Sequence, residues 1–198
     1  MKSTLSRVVS LVCLSAAFVA SPALRADDVT DSIDEAIKAY KANDFAAAAQ
    51  SLDAAAQLVR QKRGELFKAL LPAAPSGWTA EDATSQSAGA AMFGGGVTAE
   101  RHYTKGDSSI TVKMITDSPM MQAVMMMLGN PMFANADGGK LERIKGQKAI
   151  FKNKDGSGSV NVVVGGSMLV QIEGSQATDA DLHKFAESID YAKLSGML

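Results

Sequence analysis

Apolar residues recur with a helical period in two consecutive stretches near the start of the chain. The first stretch has Ile33, Ala36, Ile37 and Tyr40, and the second has Phe45, Ala48, Leu52, Ala55, Ala56 and Val59. Asn43-Asp44 between them favours a turn, and Pro72 cannot continue a helix. The pattern therefore predicts a helical hairpin over residues 27–72, with an interruption expected at Gly64.

From residue 73 onward the period changes to two, which is typical of strands. The residues Val97, Ala99, Arg101 and Tyr103 alternate with Thr98, Glu100 and His102, as expected for a strand, and a second strand follows the turn at 105–108. Further strands are expected at 148–151, 159–164 and 168–172, where short glycine-containing turns connect them. Strands joined by such short turns pair antiparallel.

Two helices are predicted within this second part. One covers residues 120–128, between Asp117-Ser118-Pro119 and Gly129-Asn130-Pro131. The other begins after Thr178, with Asp181 placed as in a capping box, and its apolar face is Leu182, Phe185, Ala186 and Ile189. We therefore expect an α+β fold, in which the helical hairpin precedes an antiparallel sheet flanked by helices over residues 73–198.

The first 26 residues have the three parts of an export signal. Lys2 and Arg7 precede an apolar run at 8–20, and small residues lead to Ala26. A membrane anchor would need about 20 apolar residues, more than this run supplies. We expect cleavage after Ala26, or alternatively after Ala23, and a periplasmic location. The single cysteine, Cys13, would leave with the signal.

Charge excludes some classes of partner. The chain has 20 basic and 21 acidic residues; without Lys2, Arg7 and Arg25 the remainder has 17 against 21, a net charge of −4. A mildly acidic chain without a basic block is a poor ligand for nucleic acid. The mature part also contains no apolar run long enough to span a bilayer.

Methionine is concentrated in residues 114–132, which contain seven of the 11 in the chain. The helix at 120–128 is apolar on nearly every side, so it is either buried or covered by a partner. Because methionine side chains adapt to varied surfaces, an envelope protein or a lipid is a candidate partner, with contacts from Met120, Met121, Met125, Met127, Met132 and Phe133. The alternative is Cu(I) bound by thioether sulfur, for which Met121 and Met125 share a helix face.

Candidate catalytic residues are few. Asp179, His183 and Glu187 share one face of the last helix, so they are candidates for an acid–base or metal site. The favoured interpretation is a solvated polar face opposite Leu182 and Phe185. Residues 153–158 imitate the start of a calcium loop, but Val164 stands where the bidentate acid is required, so a hairpin turn is expected. Serine, cysteine and zinc-protease signatures are missing, and we expect neither a cofactor nor enzymatic activity.

Two parts of the chain resemble known protein families. The spacing of Ala36, Tyr40, Phe45, Ala48, Leu52 and Ala55 resembles a single tetratricopeptide unit. The order of elements over residues 76–194 resembles the Mog1/PsbP/DcrB-like α+β proteins, and segment 71–78 is similar to uncharacterised exported bacterial proteins. The resemblance implies a binding or accessory role in the bacterial cell envelope and supplies no catalytic residues. We therefore expect an exported, non-enzymatic binding or accessory protein; the alternative, from the methionines, is Cu(I) binding through residues 114–132.

Overall fold

Two antiparallel helices begin the described part of the chain. The computed structural model describes residues 27–87, 96–118, 120–130, 132, 135 and 138–198, so the expected export signal lies outside it. Helix α1 is Asp27–Lys41 and helix α2 is Phe45–Leu70. Asn43 takes a left-handed conformation between them, and the Asp44 carboxylate accepts a hydrogen bond from the Ala47 N–H at the start of α2.

An eight-stranded sheet follows the hairpin, and every pairing in it is antiparallel. Its strands are β1 (Thr79–Ala80), β2 (Thr84–Ser87), β3 (Val97–Lys105), β4 (Ser108–Thr116), β5 (Lys140–Ile144), β6 (Gln147–Lys154), β7 (Ser157–Val164) and β8 (Met168–Ser175). The order is β1-β3-β4-β8-β7-β6-β5, with β2 also paired to β3. Pairing of β4 with β8 joins the first hairpin to the later four-stranded meander.

Helices cover both faces of this sheet. On one face, α2 packs together with α4 (Asp179–Ser188) and α5 (Tyr191–Ser195) over the main hydrophobic core. On the other face, α3 (Met120–Gly129) packs over a smaller apolar cluster. The predicted fold class, a helical hairpin followed by an antiparallel sheet flanked by helices, is confirmed.

The expected interruption at Gly64 is wrong, because α2 continues through it to Leu70. Gly64 is buried where α2 crosses the sheet, and a Cβ there would lie 3.0 Å from the Ser85 Oγ of β2. The glycine therefore permits close approach of helix and sheet, at the cost of some helix propensity. Phe67 and Leu71, at the end of this helix, belong to the main core.

Candidate partner-binding site

The methionine-rich helix α3 is only shallowly attached to the sheet. Val124 and Leu128, four residues apart, pack with Ile150, Val163 and Leu169. Met121 and Met127 are partly buried against the same cluster. Residues on the two sides of α3 therefore have different roles, although the helix is apolar nearly all round.

The remaining methionines of this region are exposed. Met120, Met125, Met126 and Met132 expose 56%, 47%, 65% and 76% of their surface, whereas Met114 is fully buried in β4. Of the predicted contact residues, the structure thus places Met120, Met125 and Met132 at the surface and Met121 and Met127 at the edge of the packing. Phe133 lies outside the described residues. We call Met120, Met125, Met126 and Met132 the methionine surface.

A cleft adjoins the methionine surface where α3 ends. It has a volume of about 390 Å³, and Met125, Leu128 and Val163 supply its apolar lining. The β5–β6 turn and the glycine turn after β7 close its sides, and Arg143 and Lys148 contribute positive charge. We call this space the α3 cleft. It combines an apolar lining with two cations, which suits a ligand that is both apolar and anionic.

Arg143 and Lys148 face each other directly across β5 and β6, because their Cα atoms are register partners. Like charges directly opposite in an antiparallel pair repel each other. Neither cation has a carboxylate partner within the part of the chain that the structure describes; Arg143 donates only a long hydrogen bond, 3.4 Å, to the Gly146 carbonyl. A bound anion would relieve this repulsion.

The sequence analysis did not predict the Arg143 and Lys148 pair, although the local concentration of basic residues indicates it. Residues 140–154 contain six basic side chains and a single acid, Glu142, in a chain that is otherwise mildly acidic. The basic residues are separated by apolar ones, so they form no continuous block. Their concentration becomes visible once β5 and β6 are known to form one hairpin.

The second candidate site surrounds His183 on the opposite face of the sheet. Its Nε2 lies 2.7 Å from Glu142 Oε2, its Nδ1 lies 2.8 Å from the Asp179 carbonyl oxygen, and its ring stacks on Phe151 with centroids 4.6 Å apart. Of the expected solvated polar face, Asp179 and Glu187 are exposed, whereas His183 is only partly exposed. The reason is β5, an unpredicted strand that brings Glu142 alongside α4.

These contacts set the protonation of His183 and restrict its chemistry. Partial burial lowers the pKa of His183, but hydrogen bonds to Glu142 and to the Asp179 carbonyl, with the nearby negative charge, outweigh burial and raise it. Both ring nitrogens are engaged, so action as a general base would require one bond to break. The arrangement fastens α4 to the edge of the sheet.

The other sequence features have structural roles. Asp155 and Gly156 form the turn between β6 and β7 with positive φ angles, as expected for a hairpin turn. His102 Nδ1 lies 3.0 Å from Thr111 Oγ1, its neighbour across β3 and β4. Among the described residues, no three His, Cys, Asp or Glu side chains are grouped so that they could hold a metal ion.

The Met121 and Met125 pair, proposed for Cu(I), is divided between two environments. Met121 packs against the smaller cluster, and Met125 lines the α3 cleft. A soft metal site needs converging sulfur atoms, and Met121 already has a packing role.

Within the described residues, every helix is too short or too polar to cross a membrane. Comparison with known proteins gave no family, no curated protein and no solved structure that matches this chain. The site geometry is therefore the basis on which a function can be argued.

Proposed function

We propose that this is an exported, non-enzymatic binding protein of the bacterial cell envelope, and that the α3 cleft and the methionine surface receive an apolar, acidic segment of a partner protein. The observation that carries the proposal is the pair of neighbouring cations, Arg143 and Lys148, which lies beside exposed methionines and has no carboxylate partner among the described residues. An export signal at residues 1–26 supports the periplasmic location.

Each part of the site matches one property of such a segment. Methionine side chains on the surface can repack around apolar residues of different shape. Arg143 and Lys148 are exposed at the cleft, where they can form charge-assisted hydrogen bonds with carboxylates of a partner. The cleft is bounded by two turns and has room for one or two side chains, which favours a polypeptide over a bilayer surface.

A panel of synthetic peptides tests the proposal before the natural partner is identified. Peptides alternating glutamate with leucine or phenylalanine are titrated into the exported protein by calorimetry, beside peptides with lysine in place of glutamate. We expect saturable binding of the acidic panel and none of the basic panel. For the double variant Arg143→Glu/Lys148→Glu we expect affinity at least about tenfold weaker, since two charge pairs become repulsive.

A matched control separates this site from general charge effects. The double variant Lys38→Glu/Lys184→Glu changes the net charge equally at two exposed lysines on α1 and α4, and it should bind the acidic peptides as the unaltered protein does. A second variant, Met126→Gln, removes an apolar group that is 65% exposed; it should weaken peptide binding and leave thermal stability unchanged.

Several results would overturn the proposal. Equal binding of acidic and basic peptides would remove the role of the cations. Stoichiometric Cu(I) uptake under reducing conditions, lost in Met121→Leu/Met125→Leu, would favour metal binding. Binding to anionic vesicles but not to peptides would favour a lipid, and saturable turnover lost in His183→Gln would indicate an enzyme.

A further inference from the structure

The helical hairpin carries a second apolar surface, on the other side of the fold from α3. Along α2, Phe45, Leu52, Val59 and Leu66 follow one another at intervals of seven residues, and each exposes between 51% and 60% of its surface. Seven residues are nearly two helical turns, so these side chains form one line about 31 Å long. We call them the α2 stripe.

Helix α1 extends this surface sideways. Ile33, Ile37 and Tyr40 are 39%, 46% and 65% exposed, and the ring of Tyr40 contacts the ring of Phe45 at a centroid distance of 5.7 Å. The two helices pack against each other through small buried residues, namely Ala36, Ala48 and Ala55. Since Gln50 and Gln57 occupy the opposite side of α2, the hairpin has one apolar and one polar face.

The exposed area is that of a standard protein interface. An aromatic side chain has a surface of about 150–250 Å² and an aliphatic one somewhat less, so the exposed fractions of the seven residues correspond to about 700 Å². Monomeric proteins seldom expose contiguous apolar patches of more than about 300–600 Å², whereas each partner in a stable complex contributes about 800 Å². This face is therefore large enough to support association.

The α2 stripe is complementary to an antiparallel copy of itself. Its four residues are symmetric about the point between Leu52 and Val59, so a second α2 in the opposite direction places Leu52 against Val59 and Phe45 against Leu66. Asp53 and Arg60 each follow a stripe residue by one position and lie on the same flank. In the antiparallel arrangement Asp53 of one copy comes beside Arg60 of the other, and the two-fold axis makes this pair twice.

Asp53 is exposed, and Arg60 is partly exposed at the cleft between α2 and β2. Neither Asp53 nor Arg60 has a hydrogen-bond or ion-pair partner within the described residues. We infer that the α2 stripe is a self-association surface, on which two copies of this chain pair through antiparallel α2 helices. The inference is independent of the proposed partner site, since the α3 cleft takes no part in it.

Sedimentation equilibrium of the exported protein tests the inference, with the N-terminus established by mass spectrometry. We expect a concentration-dependent dimer. In Leu52→Glu/Val59→Glu the dissociation constant should rise by about 100-fold or more, since the introduced carboxylates would be buried without partners. The matched control Gln50→Glu/Gln57→Glu adds the same charges at the same spacing on the polar face and should leave the dimer intact.

Charge exchange tests the antiparallel arrangement itself. Asp53→Arg and Arg60→Asp each create two like-charge contacts and should weaken the dimer, whereas the double variant Asp53→Arg/Arg60→Asp should restore it. Circular dichroism would verify that each variant retains its helices. A monomer at every concentration, a dimer unaffected by Leu52→Glu/Val59→Glu, or failure of the double variant to restore association would each overturn the inference. Binding of the stripe to vesicles by a strictly monomeric protein would likewise overturn it and indicate a membrane surface.

Discussion

Helices α3 and α4 have the same length, ten residues, and cover opposite faces of one sheet, but they are attached very differently. Helix α4 buries Leu182, Phe185 and Ala186 completely, whereas α3 leaves 8% of Val124 and 9% of Leu128 exposed. The difference lies in the surface beneath each helix and in what fixes its ends. It indicates that α4 belongs to the main core and that α3 is a peripheral element of the fold.

Two glycines explain how closely α4 approaches the sheet. Gly158 and Gly174 are register partners on β7 and β8, directly beneath Leu182. A Cβ on Gly158 would overlap the side chain of Leu182, and one on Gly174 would lie 2.9 Å from it. Absence of these two methyl groups creates the space that Leu182 fills, and such dense packing is a large source of stability.

The N-terminal end of α4 is also fixed. Thr178 and Asp181 form a reciprocal capping box, and Lys105 Nζ lies 2.9 Å from Asp181 Oδ1. Partial burial raises the pKa of Asp181, but hydrogen bonds from Thr178 and Lys105 outweigh burial and lower it. At the start of α3 the Met120 N–H donates a hydrogen bond to Ser118 Oγ at 3.2 Å, and the described residues provide no reciprocal bond or ion pair like those that hold α4.

The largest expected loss of stability comes from removal of the aromatic side chain that α4 buries in the main core, Phe185. Phe185 contacts Trp78 and Tyr103 edge-on, with centroid distances of 5.0 and 4.7 Å. We expect Phe185→Ala to lower the free energy of unfolding by about 4 kcal/mol, since a cavity replaces a fully buried ring. Urea unfolding followed by tryptophan fluorescence measures the change; a loss below about 1 kcal/mol would show that α4 is no better packed than α3.

The equivalent change in α3 should cost less. Leu128→Ala should lower the free energy of unfolding by about 2 kcal/mol, because the side chain lies at the edge of the smaller cluster. Hydrogen exchange should show faster exchange in α3 and unchanged protection in β3 and β4. If protection fell equally throughout the sheet, α3 would be part of the same cooperative core as α4, and the comparison would fail.

Loss of the cap is expected to have a smaller effect. Thr178 Oγ1 accepts a hydrogen bond from the Asp181 N–H at 3.1 Å. Thr178→Ala should reduce stability by about 1 kcal/mol, and Thr178→Ser, which keeps the acceptor, should reduce it much less. Equal losses in both variants would mean that the methyl group, and not the hydrogen bond, is responsible.

The smallest effect depends on pH. His183 has a raised pKa, so its stabilisation is fully present below the ordinary value of 6.5 and is lost as pH rises through the raised value. We expect His183→Gln to be less stable than the unaltered protein by about 1 kcal/mol or less at low pH, since the pair is partly exposed to solvent. The difference should decrease above pH 6.5 until only the pH-independent part remains, which comes from the stacking of the ring on Phe151; a difference that grew with pH would contradict it.

Much of the fold could be predicted because the relevant signals are local. Alternation of apolar and polar residues along 97–103 reflects burial on one sheet face, and the burial of Val97, Ala99 and Tyr103 follows it. The capping box at Thr178 needs only four consecutive residues, and it formed as predicted. Short strands gave no such signal: β1 and β2 contain two and four residues, and β5 carries three charged residues among five.

The sequence by itself determined the order of the long elements, because each has a period of its own. The partner of His183 was decided by tertiary structure, since Glu142 is 41 residues away in the chain and reaches α4 only through β5. Tertiary structure likewise determined which methionines of α3 are exposed to solvent. A helix that is apolar on nearly every side contains no preferred direction of burial, and that direction was set by Ile150, Val163 and Leu169 beneath it.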